Sequence, residues 1–511
     1  MKIQTKHGTL EGRKEGNLYC FRGVPYARAV RFMPPQEYDW DGVRKAYHFG
    51  PAAMQSACRQ AGLRGKYGED CLNLNIYVPC DVLETEEKER AEKTVSPDAS
   101  CLFSQKRLPV AVWLHGGAFQ NGSSRDREGK EIIRNRRIIF ISVEYRLGVL
   151  GYLYLGEALG EKYRHTGNNG TLDQLAALKW IHENVEAFGG DPAKVTVFGE
   201  SAGAKSLGAL FLRPEMQVYC SRTLMASGAW QSIRSAGTAD CVAQMVLEEG
   251  KKLGYLQKTE DILTMDVDKL LAIQERVVDN PGNTCMFGPV ADDVVIPHDW
   301  QQRIERGEYW SGNAMVGSCL HEMYFSGLQE GFLEKAPIIA GYLFGENARI
   351  AEADFSEYEK SCAADGRHLS EKEKTDEWVR ILSDYMYRTY SRRLAERLTR
   401  DGSKVWYYSF EYGTASHVLD QAMAFDHAAA DDVFFPGIKR EDRERMASVL
   451  YDAFLHFFET GEPGRMGEAD WKPLKEEHNV LAFGNKIQFR KLTETETLDH
   501  FPQSVFRLER K

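Results

Sequence analysis

The sequence predicts an α/β chain with a mostly parallel central sheet and helices on both faces. Three features point that way. Residues 110–114 (Val-Ala-Val-Trp-Leu), 138–143 and 195–198 are strand-sized apolar runs. Between the second and third runs, Leu172, Leu175, Leu178, Ile181, Val185 and Phe188 recur at three- and four-residue spacing, the mark of an amphipathic helix. The third run ends abruptly in Gly199-Glu200-Ser201-Ala202-Gly203, after which 204–212 can continue as a helix. Strands alternating with helices bury a parallel sheet on both faces.

Taken along the chain, each element has a local cause. Pro109 precedes the first run, where a missing N–H is tolerated. That strand leads into His115-Gly116-Gly117-Ala118-Phe119, whose small residues let the backbone approach another group closely. The amphipathic helix is closed by Gly189-Gly190 and the turn residues Asp191-Pro192. Residues 314–316 and 405–410 read as further strands. Residues 80–107, with Glu84-Thr85-Glu86-Glu87-Lys88-Glu89-Arg90, are polar and read as a surface insertion. The polar stretch 352–376 reads as a loop or an exposed helix. Neither interrupts what is expected to be one domain over 1–511, because the chemical residues come from both sides of the second stretch.

Composition narrows the function classes. With 65 Lys and Arg against 75 Asp and Glu, the net charge is −10. Without a basic stripe, neither nucleic acid nor an anionic membrane is an expected partner. The first residues hold no apolar segment of signal-peptide type, and the longest apolar runs are too short to span a bilayer. A cytoplasmic location with reduced thiols is the expectation for the 10 scattered cysteines, although Cys58 and Cys71 could close a small loop. No His-Glu-x-x-His or clustered Cys-x-x-Cys pattern appears, so neither a metal nor an organic cofactor is expected. Oligomeric state is not legible.

The chemistry is concentrated at Ser201. A serine at a sharp strand-to-helix turn is held in a strained conformation with its hydroxyl above the sheet. Such strain costs roughly 1–3 kcal/mol and usually marks function. A glycine loop after a neighbouring strand supplies backbone N–H groups for an oxyanion, so Gly117, Ala118 and Ala202 are the expected oxyanion donors. His115 reads as a packing or loop-stabilising residue.

These motifs belong to a wider pattern. Phe21-Arg22-Gly23-Val24-Pro25-Tyr26-Ala27, Arg31-Phe32-Met33-Pro34-Pro35, Glu69-Asp70-Cys71-Leu72-Asn73-Leu74-Asn75, Gly167-Asn168-Asn169-Gly170, Asp173-Gln174 and Phe188-Gly189-Gly190-Asp191-Pro192 lead into the serine motif. Phe287-Gly288-Pro289-Val290-Ala291-Asp292 and Thr460-Gly461-Glu462-Pro463 follow it. Over nearly its whole length the chain resembles the type-B carboxylesterase/lipase family, the cholinesterase-like α/β-hydrolases.

The resemblance implies a Ser-Glu-His triad in that chain order. Gly317-Ser318-Cys319-Leu320-His321-Glu322-Met323 matches the family's acid motif, with Glu322 as the acid, although His321 and Met323 depart from the usual neighbours. Two histidines follow the 405–410 strand. The family places its histidine a few residues before an acid and a Phe-containing cluster. Asp431-Asp432 and Val433-Phe434-Phe435 supply both for His427, whereas His417 is followed by Val418-Leu419-Asp420 without such a cluster. The expected triad is therefore Ser201, Glu322 and His427. The implied reaction is hydrolysis of a small-molecule carboxylic ester through an acyl-enzyme, on small to medium neutral esters.

Cholinesterase-like enzymes hold a quaternary ammonium on a tryptophan before their Glu-Asp-Cys-Leu motif. Residues 58–68 here contain Arg59, Arg64 and Lys66 and no tryptophan, which disfavours choline esters. Glu200 fits either attraction of a cationic group or a supporting place beside the triad. The family also contains adhesion proteins without a nucleophile, and lipases. A binding protein would have no need of Ser201, and the polar 80–107 segment offers no apolar lid face.

Overall fold

The apolar runs become strands of one eleven-stranded sheet in the computed structural model, which describes residues 1–56, 67–85, 107–280, 286–426, 428–466, 469–474, 479–492 and 500–502. Along the chain its strands are β1 (Arg13–Glu15), β2 (Leu18–Pro25), β3 (Asn73–Pro79), β4 (Leu108–Leu114), β5 (Ile139–Val143), β6 (Gly190–Glu200), β7 (Arg222–Ala226), β8 (Asn313–Cys319), β9 (Val405–Phe410), β10 (Asn479–Phe483) and β11 (Ile487–Lys491). Their spatial order is β11-β10-β9-β8-β7-β6-β4-β5-β3-β2-β1. Strands β4 to β10 pair in parallel, and the pairs at the two ends are antiparallel. This is the α/β-hydrolase arrangement expected from the sequence.

Strand alternation sends side chains into two cores. Val195 and Val197 of β6 join the cluster on one face of the sheet, and Phe198 joins the other. On the first face lie Leu178 and Ile181 of helix α1 (Asn169–Asn184). The nine-residue helix α2 (Ala202–Leu210) follows β6 and is buried on every side. Helices α3 (Glu371–Ser383) and α4 (Thr389–Arg400) are joined through a π-helical turn, Asp384–Arg388. Helix α5 (Leu419–Phe425) and the long helix α6 (Arg440–Thr460) cover the opposite face with Phe425, Leu450, Phe454 and Phe458.

One open expectation is narrowed and another changes. The polar stretch 352–376 is largely helical, shared between Ala348–Ala364 and the start of α3. The inward face of α1 also differs from its apolar pattern. Leu172 and Leu175 are only partly buried, while Thr171, Asp173 and Gln174 are buried. The reason is an ion pair. Arg146 grips Asp173 with Nε at 2.7 Å and Nη2 at 2.6 Å, and its Nη1 reaches the carbonyls of Val30 and Met33. Gln174 in turn donates to Ser206 of α2 at 2.9 Å. Of the 80–107 insertion, residues 86–106 lie outside the described residues, as does Cys58, and Cys71 is a buried free thiol. Among the described residues no helix is long and apolar enough to cross a membrane.

The Arg146–Asp173 pair is almost fully buried, so removing one partner strands a charge. Asp173→Ala is expected to destabilise the chain by about 3–5 kcal/mol. The check is a thermal melt in which the double replacement Arg146→Met with Asp173→Leu regains much of the loss.

Candidate active site

The site lies at the carboxyl ends of β4, β6, β7, β8 and β9, where parallel strands of an open sheet leave a crevice. Strand β6 stops at Glu200, and Ser201 adopts φ 52°, ψ −119° before α2 begins. A serine with positive φ is uncommon and held by its surroundings. Here the Ser201 N–H donates to the Ala226 carbonyl at the end of β7, at 2.9 Å. The turn closes so tightly that a Cβ on Gly203 would lie 2.0 Å from the Leu114 carbonyl oxygen. Helix α2 is thereby pressed onto the end of β4, which places Ser201 beside the glycine loop.

That loop is wound in an unusual conformation. Gly117, Ala118 and Phe119 have φ of 108°, 55° and 60°, and the Gly117 carbonyl accepts from the N–H groups of Gln120 and Asn121. Ala202 is the first residue of α2, whose leading N–H groups have no intrahelical acceptor. His115 serves packing, as expected. It is buried, stacks on Tyr145 at 4.3 Å, and its carbonyl accepts from the Tyr145 hydroxyl at 2.7 Å.

Glu322 follows β8 on a tight turn with its side chain fully buried. One oxygen accepts from the Cys319 N–H at 2.8 Å and from the Ser227 hydroxyl at 2.6 Å. The other meets His417 Nδ1 at 2.5 Å, and His417 Nε2 lies 2.9 Å from Ser201 Oγ. With Glu322 ionised, Nδ1 donates to the carboxylate and Nε2 is left to accept from the serine hydroxyl. The imidazole is 24% exposed, open enough for a bound molecule to reach it.

The expectation for His427 is therefore corrected: the imidazole that joins Ser201 to Glu322 is that of His417. His427 itself lies outside the described residues. Topology gives the reason. Strand β9 pairs with β8 so that Phe410 stands opposite Cys319, which brings the loop directly after β9 to Glu322. Ala415 and Val418 take positive φ (46° and 67°) to turn the chain there. Helix α5 begins two residues after His417. The aromatic cluster that favoured His427 packs behind the His417 loop instead. The Phe434 carbonyl accepts from the Thr414 N–H, and Phe435 contacts Tyr412.

Four further groups went unassigned or undecided in the sequence. Ser227, with φ 56°, steadies Glu322 from the end of β7. Its signal was its place just past a strand's carboxyl end. Asp420, buried three residues after His417, accepts from the Tyr408 hydroxyl at 2.6 Å. It is the acid a few residues downstream that the pattern requires. Glu200 packs its carboxyl against Gly116, where a Cβ would come within 2.6 Å. His321 pins the two loops together, its N–H donating to the Ala415 carbonyl at 2.9 Å.

The electrostatics centre on one imidazole among carboxyl groups. Desolvation pushes His417 down, but the Glu322 charge and hydrogen bond, with Glu200, outweigh it and leave His417 above its ordinary value. Crowding by protein atoms pushes the Glu200 carboxyl up to about 7, although His417 and Arg127 pull the other way. Among the described residues no cluster of His, Cys, Asp and Glu has the arrangement of a metal site.

A base must be neutral to act, so kcat/KM is expected to fall toward acid pH with an apparent pKa above the ~6.5 of free histidine. Ionised Glu200 favours the imidazolium. Glu200→Gln should therefore move this limb to lower pH, and pH-rate profiles of the two proteins check the sign.

The family model described as "Carboxylesterase family" matches residues 1–501. Liver carboxylesterase 1 of Oryctolagus cuniculus is 27% identical over 536 residues, an alignment covering 95% of this chain and 89% of that protein. Para-nitrobenzyl esterase of Bacillus subtilis (strain 168) is 26% identical, with 97% of each covered. Among solved structures, the Geobacillus stearothermophilus carboxylesterase EST55 superposes with a TM-score of 0.77 at 29% identity, covering 96% of this chain and 97% of that one.

Proposed function

This chain belongs to the carboxylesterase family and is a serine hydrolase of carboxylic esters; within that activity we propose that Ser201 is the nucleophile, His417 the general base and Glu322 its orienting acid. The unbroken hydrogen-bond path from Ser201 Oγ through His417 to Glu322 carries the assignment. Ser201 attacks the ester carbonyl while His417 takes its proton, and His417 then protonates the departing alcohol. Water repeats the sequence on the acyl-enzyme. Glu322 keeps the imidazole in the productive tautomer and favours its cationic form in each transition state. The N–H groups of Gly117, Ala118 and Ala202 are the proposed oxyanion donors, each worth about 3 kcal/mol in the transition state.

The preferred substrates are proposed to be small to medium neutral esters. Support comes from the composition of 58–68, with three cationic residues and no tryptophan; residues 57–66 lie outside those described. A non-catalytic binding role would leave the strained Ser201 and its aligned partners without purpose.

Ser201→Ala and His417→Ala should each cost up to about a millionfold in kcat and leave circular dichroism native. His427→Ala should retain nearly all activity. A phosphonate ester should label Ser201 alone, as read by peptide mapping. The proposed base is wrong if folded His417→Ala turns over nitrophenyl esters while His427→Ala is inactive. A choline ester should show a lower kcat/KM than its uncharged carbon isostere, and equal values would refute the substrate reading.

A further inference from the structure

Every residue of α2 is buried, and Lys205 is the charged one among them. It lies one helical turn beyond the nucleophile, its N–H donating to the Ser201 carbonyl at 2.9 Å. A lysine only 4% exposed is an unusual occupant of such a helix. Its ammonium sits 4.4 Å from the centre of the Tyr387 ring. That ring in turn lies 4.5 Å from the His417 ring, with the planes 39° apart.

Tyr387 is placed there by the π-helical turn between α3 and α4. A π turn inserts one residue into a helix and re-aims the side chains around it, and such turns gather at functional sites. This one is tied to the loops of the triad. Ser383, just before it, accepts from the Met323 N–H at 3.0 Å, next to Glu322. The Met386 carbonyl within it accepts from Gln231 Nε2 at 3.3 Å. Asp384 and Arg388 on the same turn pair with each other at 2.5 Å.

We propose that Lys205 and Tyr387 are a positioning pair for His417: the ammonium anchors the phenol ring, the ring backs the imidazole, and the cation offsets the surrounding carboxyl groups. The inference rests on His417 being the base. Charged and titratable groups reach the imidazole from Glu322 after β8, Glu200 at the end of β6, Asp420 on α5 and Lys205 on α2. Three carboxyl groups favour the imidazolium, and Lys205 is a cation that opposes it. A base works best when its pKa lies near the working pH. Carboxyl groups alone would hold His417 protonated, and so idle, further into the neutral range. The cation–π contact holds that opposing charge against the ring rather than in solvent.

The test uses the full chain and a nitrophenyl ester. Lys205→Met keeps the length and drops the charge. It should move the acid limb of kcat/KM upward by about half a unit or more, a threefold or greater loss on the limb, with KM little changed. Lys205→Arg should restore the limb, since a guanidinium also sits over an aromatic ring. Tyr387→Leu should lower kcat about tenfold or more through a loosened imidazole, whereas Tyr387→Phe keeps the ring and the rate. A Lys205→Met profile that overlays wild type, or an equal shift in Lys205→Arg, overturns the proposal. So does a Tyr387→Leu protein with undiminished kcat. Lys205→Gln supplies the same comparison should Lys205→Met fail to fold. The base assignment is tested separately. Activity in His417→Ala overturns that assignment, whereas inactive His417→Ala beside an unmoved Lys205→Met limb overturns this inference alone.

Discussion

The close approach of α2 to the end of β4 is the constraint on which the site depends. Gly203 rests so near the Leu114 carbonyl that any side chain there would collide with backbone. Because Gly203 and Ser201 share one turn, this contact also fixes the height of the Ser201 hydroxyl above the sheet. It sets the distance from Ser201 to the 115–119 loop, which springs from the same strand. The positive φ of Ser201 is the local cost, and the N–H bond to Ala226 on β7 helps to sustain it. Three neighbouring strands thus determine the position of one hydroxyl before any catalytic partner is considered.

The second layer is electrostatic. Glu322 is buried, yet its oxygens are met by a backbone N–H, a hydroxyl and an imidazole. Both carboxyl oxygens thus have the partners that a buried polar group requires. One of those partners is an imidazole whose other nitrogen faces Ser201. Glu200, Asp420 and Lys205 modulate that imidazole from three different elements. The basicity of His417 is therefore a property of the assembled fold, not of its own loop.

Different parts of this arrangement were legible in the sequence to different degrees. Ser201 and the glycine loop could be read because their chemistry is local: a turn that admits only small residues writes itself into adjacent positions. Glu322 could be read from its motif, even with His321 and Met323 in unfamiliar places. His321 proves to join the acid and base loops, and the Met323 N–H reaches Ser383. The inward face of α1 was misjudged at Leu172 and Leu175, because apolar spacing cannot register that Arg146, far away in sequence, needs Asp173 inside. Ser227 was passed over for a similar reason, since its partner lies 95 residues downstream.

The sequence by itself determined the α/β-hydrolase architecture, the family and the motifs that carry Ser201, Glu322 and the glycine loop. Each is specified by short-range pattern: apolar runs of strand length, a turn without room for side chains, a motif at the end of a strand. The choice between His417 and His427 was decided only by the tertiary structure. Both histidines follow β9, and both have an acid downstream within the chain. What brings His417 to the site is the register of β9 against β8, which delivers residue 417 to Glu322. The contact of Lys205 with Tyr387 and of Tyr387 with His417 belongs to the same class. It joins residues from three separate segments, and only packing could bring them together.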